Sequence, residues 1–587
     1  MPESEPPSSS PNLRTRPVRS RSWSFRLAAV AVGLSPLVIA EIALRVFGVA
    51  APASGTDPLA GFNRQLRLFE RAGDRYQVIR SREPFFQPQN FAAVKPTNGF
   101  RIFSFGGSTV YGHPYLADTS FPKWLELELA ATHPNRRVES VNCGGISYAS
   151  YRLAPIVREV LAYQPDLIVL AMGHNDFLED RTYQPLKSRS GARRWWEDRL
   201  NKLRIIALIR SFFVHPTRDQ SMSASPQGKE QLPAEVSARL DQPTGYASYH
   251  RDDAWREQVT AQFGDSFRAM IAACRAAKVP VLVVALGSNL RDCPPFKSEH
   301  RAGLSAQDEL RWQVAFDAGT AVEKRDLNAA LSHYQSAAAI DDQHALLAFR
   351  MARVHDRLGH TNEARELFLR AKELDVCPLR MIEEVYELQH QIAKETQAPV
   401  VDARRATEAR SPQGIPGHDE FLDHVHPTVA GHQRIAQAIA AKLAVAGLIE
   451  TGEPWPLAVR RGAYRDHLRT LPTSYFPNGH RRVEWLEKWA KRERLREETA
   501  PMDAHGFLHL GFRLLDLGEE SEAWDACRAA IKLRPESLAD LMQHADELAD
   551  QGRPEAAAAL MRRLAEMTGD AELRRRIEVT AARYLER

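Results

Sequence analysis

The sequence is poor in cysteine and carries little net charge for its length. Its 587 residues include five cysteines, and no Cys-x-x-Cys pair or His-rich stretch marks a zinc site. The formal net charge is +4 at pH 7, and much of the positive surplus lies in an N-terminal arm. A nucleic-acid-binding protein needs a basic face on a folded domain. We therefore expect no nucleic-acid partner, no metal and no cofactor.

The five cysteines are an odd number, so an exported domain would keep at least one free thiol. They are Cys143, Cys274, Cys293, Cys377 and Cys527. Cys293 and Cys377 flank a helical segment that interrupts the main pattern of the chain. We expect these two to pair as a disulfide across the neck of that segment.

The first 50 residues have the composition of a membrane anchor. Residues 1–24 are rich in Ser, Pro and Arg and have too little apolar surface to fold, so we expect a disordered, basic cytoplasmic arm. Residues 25–50 are long and apolar enough to span a bilayer, and the arginines before them place the N-terminus inside. Glu41 and Arg45 interrupt the span but form an i, i+4 pair near its outer end.

This pattern predicts a single-pass protein of the bacterial inner (cytoplasmic) membrane, with the rest of the chain in the periplasm. Two alternatives stay open. A cleaved signal peptide fits the small residues of "GVAAPA" and the apolar run before them. An amphipathic helix docked on a soluble domain is the other.

Strand and helix patterns alternate from about residue 98 onward, after an irregular lead-in at 51–97. Short β-branched runs such as "DLIVLAMGHND" and "VPVLVVALGSN" follow helical patterns such as "SYRLAPIVREVLAYQP" and "FRAMIAACRAAK". This alternation predicts an α/β domain whose parallel sheet is covered by helices on both faces. The domain occupies 98–307, with an excursion at 185–250, and resumes at 379–450.

Two blocks, 308–378 and 503–587, are helical and internally repetitive. The first carries small and aromatic residues at a regular spacing: Ala352, Gly359, Ala364, Phe368 and Ala371. In this spacing both blocks resemble tetratricopeptide (TPR) helix pairs, although Ala-rich helical hairpins of another kind fit as well. Each block has too few units to stand alone, so it must pack on the α/β domain. The resemblance implies a protein partner, and 451–502 reads as a linker.

Four stretches place polar residues where strands of the predicted sheet end, or just before the last helix. They are "FSFGGSTVYGHP" with Ser108, "VNCGGIS" with Gly144 and Gly145, "DLIVLAMGHNDF" with Gly173 and Asn175, and "FLDHVHPTVAGH" with Asp423 and His426. Ligands of open α/β sheets bind beyond the carboxyl ends of the strands. We expect these residues to meet at that edge.

In this order the four stretches resemble the blocks of the SGNH (GDSL-type) hydrolases. The resemblance implies a flavodoxin-like three-layer α/β/α fold and a catalytic triad of Ser108, Asp423 and His426. It also implies an oxyanion hole built from Asn175, the Ser108 N–H and an N–H of Gly144 or Gly145, with Ser147 as an alternative alignment. Gly107 stands where the family usually has Asp.

Other roles stay open near these residues. Tyr111, His113 and Gly173 could line the pocket, or could equally be packing or surface residues. Asp423, His424 and His426 could also be read as metal ligands, since His-x-His spacing suits a metal. We prefer the triad because no second cluster of histidines and carboxylates follows another strand.

These features together predict a membrane-anchored, extracytoplasmic serine esterase. The expected substrates are ester-linked acyl groups, with O-acetyl groups of envelope carbohydrate as the first class to test. An O-acyltransferase on the same fold is one alternative. The other is a catalytically inactive scaffold whose TPR-like blocks bind an envelope protein.

Overall fold

The computed structural model describes residues 67–187, 249–472, 474–490, 503–517, 520–550 and 552–585, with isolated residues between 33 and 41. The chain divides into two units, one of residues 1–60 and 185–230 and one of residues 61–184 and 231–587. The predicted cytoplasmic arm, nearly all of the predicted membrane span and most of the 185–250 excursion lie outside the described residues. Among the described residues, no helix has both the length and the apolar character to cross a membrane.

The lead-in is more regular than the sequence suggested. Strands β1 (Phe69–Ala72), β2 (Arg75–Val78) and β3 (Asn90–Ala92) form a small antiparallel sheet. Arg101 fastens this sheet to the main domain, because its buried guanidinium donates to the carbonyls of Ala92 and Tyr163, both at 2.7 Å, and pairs with Glu139 at 2.8 Å. The strands are only three or four residues long, which is too short for a clear period-2 pattern.

The main sheet of the described residues has five parallel strands. They are β4 (Gly99–Gly106), β5 (Arg137–Gly144), β6 (Leu167–Ala171), β7 (Val281–Ala285) and β8 (Val400–Asp402), in the order β5-β4-β6-β7-β8. Counted along the chain this is 2-1-3-4-5, the strand order of flavodoxin-like sheets. The predicted parallel sheet is confirmed.

Alternating residues of the strands enter two separate cores, because successive side chains of a strand point to opposite faces. On one face Phe103, Ile168 and Val283 pack with helices α3 (Ser150–Val160), α5 (Asp253–Ala276) and α10 (Glu383–Glu395). On the other face Ile102 and Val169 pack with α2 (Phe121–Thr132) and α12 (Val429–Val445). The sheet is therefore covered by helices on both faces, as predicted.

The remaining helices are short connections or helical hairpins. The connections are α1 (Ser108–Tyr111), α4 (Asp176–Lys187) and α11 (Ala403–Glu408). Between β7 and β8 the chain inserts α6 (Ala306–Val322), α7 (Leu327–Ala338), α8 (Ala345–Arg357) and α9 (Thr361–Leu374). The C-terminal block contains α15 (Ala504–Leu517), α16 (Glu520–Leu533), α17 (Ser537–Asp550), α18 (Pro554–Met567) and α19 (Ala571–Leu585).

Small residues let the helices of a hairpin approach closely. A Cβ on Gly319 of α6 would lie 2.6 Å from the Tyr334 ring of α7, and a Cβ on Gly511 of α15 would lie 2.6 Å from Cys527 Sγ of α16. Ala352 and Ala364 are fully buried between α8 and α9. The helical hairpins predicted from these small residues are present in both blocks. That they are TPR units stays a prediction.

The segment predicted as a linker contains two helices, α13 (Leu457–Arg469) and α14 (Tyr475–Ala490). Tyr464, Leu468 and Tyr475 are buried in the same core as α2 and α12. Both helices are amphipathic and rich in arginine on their polar sides. The sequence therefore predicts a linker here, because the apolar positions of the segment are few and far apart in the sequence. They extend the helical layer on that face of the sheet.

The predicted disulfide is wrong. None of the five cysteines, all of which lie in the described residues, forms a disulfide, and Cys293 Sγ contacts the carbonyl of Pro294. Cys377 is buried in the core of the α/β domain, where burial raises the pKa of its thiol well above the ordinary value. The position of two cysteines beside an insertion does not bring their sulfur atoms together.

Candidate active site

Ser108 stands at the first position of a helix that begins immediately after a strand. β4 ends at Gly106, and the Gly107 carbonyl accepts the N–H groups of Val110 and Tyr111 at 3.1 Å to close the first turn. A Cβ on Gly106 would lie 2.0 Å from the carbonyl oxygen of Ala171. Only glycine therefore fits between the strands at this turn, which raises the partly exposed Ser108 at the carboxyl edge of the sheet.

Ser108, His426 and Asp423 form a continuous hydrogen-bonded line. His426 Nε2 lies 2.7 Å from Ser108 Oγ, and His426 Nδ1 lies 2.5 Å from Asp423 Oδ2. His426 and Asp423 are buried, whereas Ser108 is partly exposed. The geometry places a hydroxyl, an imidazole and a carboxylate in the arrangement of a nucleophile, a base and an orienting acid.

The Asp423 carboxylate is fixed by its own loop. Its Oδ1 accepts the backbone N–H groups of Val425 and His426, both at 2.9 Å. Burial alone would raise the pKa of this carboxyl, but the nearby His426 and His424 imidazoles and the hydrogen bonds outweigh it. The pKa of Asp423 is therefore held well below its ordinary value, and the group stays ionised beside His426.

The Asn175 side chain packs against the nucleophile turn. Its Nδ2 would lie 2.2 Å from a Cβ on Gly107, and it donates to the carbonyl of Tyr148 at 3.3 Å. The amide therefore occupies the space that a side chain at position 107 would need. This explains in steric terms why Gly107, and not Asp, precedes the serine in this chain.

The two glycines predicted as oxyanion donors have their N–H groups engaged elsewhere. The Gly144 N–H donates to Asn142 Oδ1 at 2.8 Å, and the Gly145 N–H donates to the Gly106 carbonyl at 3.0 Å. The Gly145 bond continues the pairing of β5 with β4 beyond the strand end, whereas the Gly144 bond goes to a side chain of β5 itself. The structure corrects the prediction for both glycines: they shape the turn, and their N–H groups do not point to an open site.

Ser147 is the remaining backbone donor of this turn. Its φ is +60°, and the N–H groups of Ile146 and Tyr148 on either side are bound to Phe85 and Gly145 carbonyls. Among the described residues neither the Ser147 N–H nor the Ser108 N–H has an acceptor. The unusual backbone at Ser147 thus leaves one partly exposed N–H available at this edge.

The three predicted pocket residues lie in different surroundings. His113 is buried with its ring centroid 4.9 Å from that of His426, and Tyr111 is partly exposed. Burial and the nearby His426 hold the pKa of His113 well below its ordinary value, so its ring is neutral. Gly173 is buried, and a Cβ there would lie 2.4 Å from Met381 Sδ. The structure therefore corrects the prediction for Gly173, which packs against protein and does not line an open pocket.

Asp423, His424 and His426 bring three ligand-type atoms within 4.8 Å of one another. Both ring nitrogens of His426 are already hydrogen-bonded, one to Asp423 and one to Ser108. His424 lies 3.5 Å from Asp423 and packs its ring edge-on against Phe296. The geometry thus favours the triad over a metal site at these residues.

Two side chains beside Asn175 support the site: Asp176, which we expected from the sequence to hold its loop, and His174, for which the sequence predicted no role. His174 Nδ1 accepts the N–H of Met381 at 3.0 Å, which ties the loop before Asn175 to the chain preceding α10. Asp176 Oδ1 accepts the hydroxyl of Ser150 at 2.5 Å and so binds the start of α3. Their partners lie 207 and 26 residues away in the chain, and no local pattern identifies such pairs.

A cleft of about 310 Å³, open space included, lies at the carboxyl end of β7. Residues of the inserted helix α9 and of α11 form part of its walls. The lining is mixed polar and apolar and includes His174, Ser288, Lys372, Tyr386 and Arg404. The inserted helix α9 therefore forms part of the protein surface at the carboxyl end of β7.

No family model and no curated protein sequence matches the chain. Among solved structures, similarity is found to a protein described as a lipolytic protein of the G-D-S-L family from Desulfitobacterium hafniense (10% identity, 58% of this chain, 99% of that chain, TM-score 0.26). An acetylxylan esterase from Geobacillus stearothermophilus also matches, with 12% identity, 60% of this chain and 96% of that chain covered, and a TM-score of 0.26. So does an acylhydrolase from Bacteroides fragilis, with 13% identity, 61% of this chain and 92% of that chain covered, and a TM-score of 0.24. Scores this low leave the functional argument to the geometry of the site itself.

Proposed function

We propose that this chain is a serine esterase of the SGNH type that cleaves ester-linked acyl groups. The observation that carries the proposal is the line from Ser108 Oγ to His426 (2.7 Å) and on to Asp423 (2.5 Å) at the carboxyl edge of the sheet. A serine hydroxyl attacks an ester only when a base removes its proton. His426 is in place to do so.

The first half of the reaction forms an acyl-enzyme. Ser108 Oγ attacks the ester carbonyl while His426 Nε2 takes the hydroxyl proton. The ionised Asp423 stabilises the imidazolium and keeps the second ring nitrogen oriented. Collapse of the tetrahedral intermediate breaks the bond to the alcohol, which leaves with the proton that His426 returns.

The negative charge of the tetrahedral intermediate needs hydrogen-bond donors. The Asn175 amide and the N–H groups of Ser108 and Ser147 supply three at one end of the sheet. They are fixed before the substrate arrives, because the strand end and the Asn175 contact with Gly107 hold them. Such preorganised donors stabilise the transition state at little reorganisation cost.

The second half of the reaction releases the acyl group. His426 removes a proton from water, the resulting hydroxide attacks the acyl-Ser108 carbonyl, and Ser108 leaves with the proton. A second alcohol entering instead of water would make the protein an acyltransferase. The choice between hydrolysis and transfer, and the alcohol portion of the ester, stay proposals for a substrate screen.

The setting of this activity is also a proposal. The apolar run at residues 25–50 supports a membrane anchor with the enzyme on the periplasmic side. O-acetyl groups of envelope carbohydrate are then the accessible ester class. The helical hairpins of both blocks support a protein partner bound in the manner of TPR repeats.

A serine-directed fluorophosphonate probe tests the proposal. We expect the wild-type protein to be labelled and to hydrolyse a short-chain aryl ester, and Ser108→Ala to lose both properties. His426→Ala should lose hydrolysis with its fold intact by circular dichroism. Wild-type activity retained in both variants would show that the triad does not carry the reaction.

A further inference from the structure

A second group of histidines lies where the C-terminal block meets the α/β domain. His505 and His509 are one turn apart on α15, with ring centroids 4.4 Å from each other. The ring of His418, in the loop that leads to Asp423, lies 5.8 Å from that of His509. Three imidazoles from two distant parts of the chain are thus collected at one place.

Asp292, which follows β7, faces these rings. Its carboxylate interacts electrostatically with the His418, His505 and His509 side chains. The His418 N–H donates to Asp292 Oδ2 at 2.8 Å, and a Cβ on Gly417 would lie 2.2 Å from the same oxygen. An ionised carboxylate is therefore held against the loop, close to the three imidazoles.

Donor atoms in this group lack partners. His505 Nε2 and Asp419 Oδ2 are buried, and neither has a hydrogen-bond partner among the described residues. His509 packs between the His505 and His418 rings, with ring centroids 4.4 and 5.8 Å away. Buried polar atoms left without partners call for an explanation such as a bound ion.

We propose that His505, His509, His418 and Asp292 bind a divalent transition-metal ion of the zinc class. Two histidines at i and i+4 on one helix face are a known zinc-binding spacing. Three imidazoles and one carboxylate satisfy a tetrahedral ion, and Zn–N bonds of about 2.0–2.1 Å place neighbouring ring centroids roughly 5 Å apart. The observed centroid distances, 4.4 Å between His505 and His509 and 5.8 Å between His418 and His509, lie on either side of that value.

Binding draws these side chains together. Of the described residues, only Asp423, His424 and His426 already hold three ligand-type atoms within 4.8 Å. The proposal therefore requires the four side chains to rotate toward one ion on binding. The ion would join α15 to the loop that carries the catalytic acid and base, so it should also stabilise the C-terminal block against unfolding.

The test uses the full chain without a polyhistidine tag, stripped with chelator and then titrated with ZnCl₂ in a calorimeter. We expect one zinc ion per chain, a rise in the midpoint of thermal unfolding, and tetrahedral d–d absorption when CoCl₂ replaces zinc. His505→Ala and His509→Ala should each weaken binding at least ~10-fold. If His509→Ala does not fold, His505→Gln is used instead, because His505 is partly exposed; it should weaken zinc binding in the same way.

Two controls separate this site from others. His355 and His360 form a comparable pair on the inserted hairpin, with ring centroids 5.4 Å apart, so the double variant H355A/H360A should bind zinc like the wild type. His426→Ala should also retain zinc, since the proposed ion does not lie in the triad. Binding that survives in H505A/H509A, or that disappears in either control, would overturn the proposal, as would the absence of stoichiometric binding.

Discussion

At the scale of single residues, the space beside Ser108 is shared by Gly107 and Asn175. A Cβ on Gly107 would lie 2.2 Å from Asn175 Nδ2, far inside van der Waals contact. The Asn175 amide, which we propose as an oxyanion donor, can therefore occupy this position only because residue 107 has no side chain. Two predictions follow from this contact, one for each residue.

Gly107→Ala should lower kcat about 10-fold or more, because the new methyl group displaces an oxyanion donor whose complete loss costs more. KM and the midpoint of thermal unfolding should change little. Gly462→Ala is the matched control, since nothing lies within 4 Å of a Cβ there. Equal rates for both variants would show that Asn175 is not held by this contact.

Asn175→Ala should reduce kcat by about 10²–10³-fold, the usual cost of one oxyanion-hole donor. Asn175→Asp should be no better, since an ionised carboxylate offers no N–H and repels the developing charge. Both are measured with a short-chain aryl ester at saturating substrate. A loss of less than about 3-fold in both variants would assign the donor role to backbone groups alone.

At the scale of elements, α14 reaches the chain that follows the nucleophile. The Tyr475 hydroxyl lies 3.0 Å from the Leu116 N–H and 3.0 Å from Thr119 Oγ1, and Arg482 donates to the Pro114 carbonyl at 2.9 Å. Gly479 lets the Tyr115 ring approach the helix, since a Cβ there would lie 2.1 Å from that ring. The segment after Ser108 is therefore positioned by a helix more than 350 residues away.

Tyr475→Phe should lower the midpoint of thermal unfolding, because the partly buried Leu116 N–H loses a hydrogen bond worth about 0.5–1.5 kcal/mol. Activity should fall by a smaller factor than in Asn175→Ala, as the residue acts only through the loop. Tyr584→Phe, which removes the hydroxyl bonded to Asp546 in the C-terminal block, is the control and should leave activity unchanged. An unaltered Tyr475→Phe protein would mean that water replaces the hydroxyl.

The sequence predicted the elements whose pattern is local. The apolar strands β6 and β7, the helices between them and the glycine turn before Ser108 all follow from residues near one another in the chain. It failed where the reason is distant: the Gly145 N–H is engaged by Gly106 of the neighbouring strand, and α14 folds because Tyr475 finds a core around α2. Which backbone N–H groups near Ser108 stay free depends on how β4 and β5 pair, and the sequence predicts the strands without predicting these pairing contacts.

At the scale of the whole molecule, a buried neutral histidine joins two helices that cover one face of the sheet. His432 of α12 accepts the N–H of Phe121 at the start of α2 at 3.2 Å. Burial, with a contribution from His426, lowers the pKa of His432 to about 3. In an unfolded chain a histidine titrates near ~6.5, so between about pH 6.5 and 3 the unfolded state binds the extra proton.

Stability should therefore fall as the pH drops through this window, by up to about 1.4 kcal/mol per pH unit for this group. His432→Gln keeps an acceptor for Phe121 but does not titrate, so its unfolding midpoint should depend less steeply on pH between 6 and 4. The exposed His360→Gln should keep the wild-type slope. Parallel slopes in all three proteins would show that other groups govern the acid response.

The insertion between β7 and β8 also affects when the proposed triad can assemble during synthesis. Ser108 and His426 are 318 residues apart, and the inserted hairpins account for part of that distance. At about 5–20 residues per second, a ribosome needs roughly 15–60 s to proceed from the nucleophile to its base. On the proposed function, the nascent chain therefore carries an inert serine while the hairpins form, and the proposed esterase activity begins only when the last strand and its loop have joined the sheet.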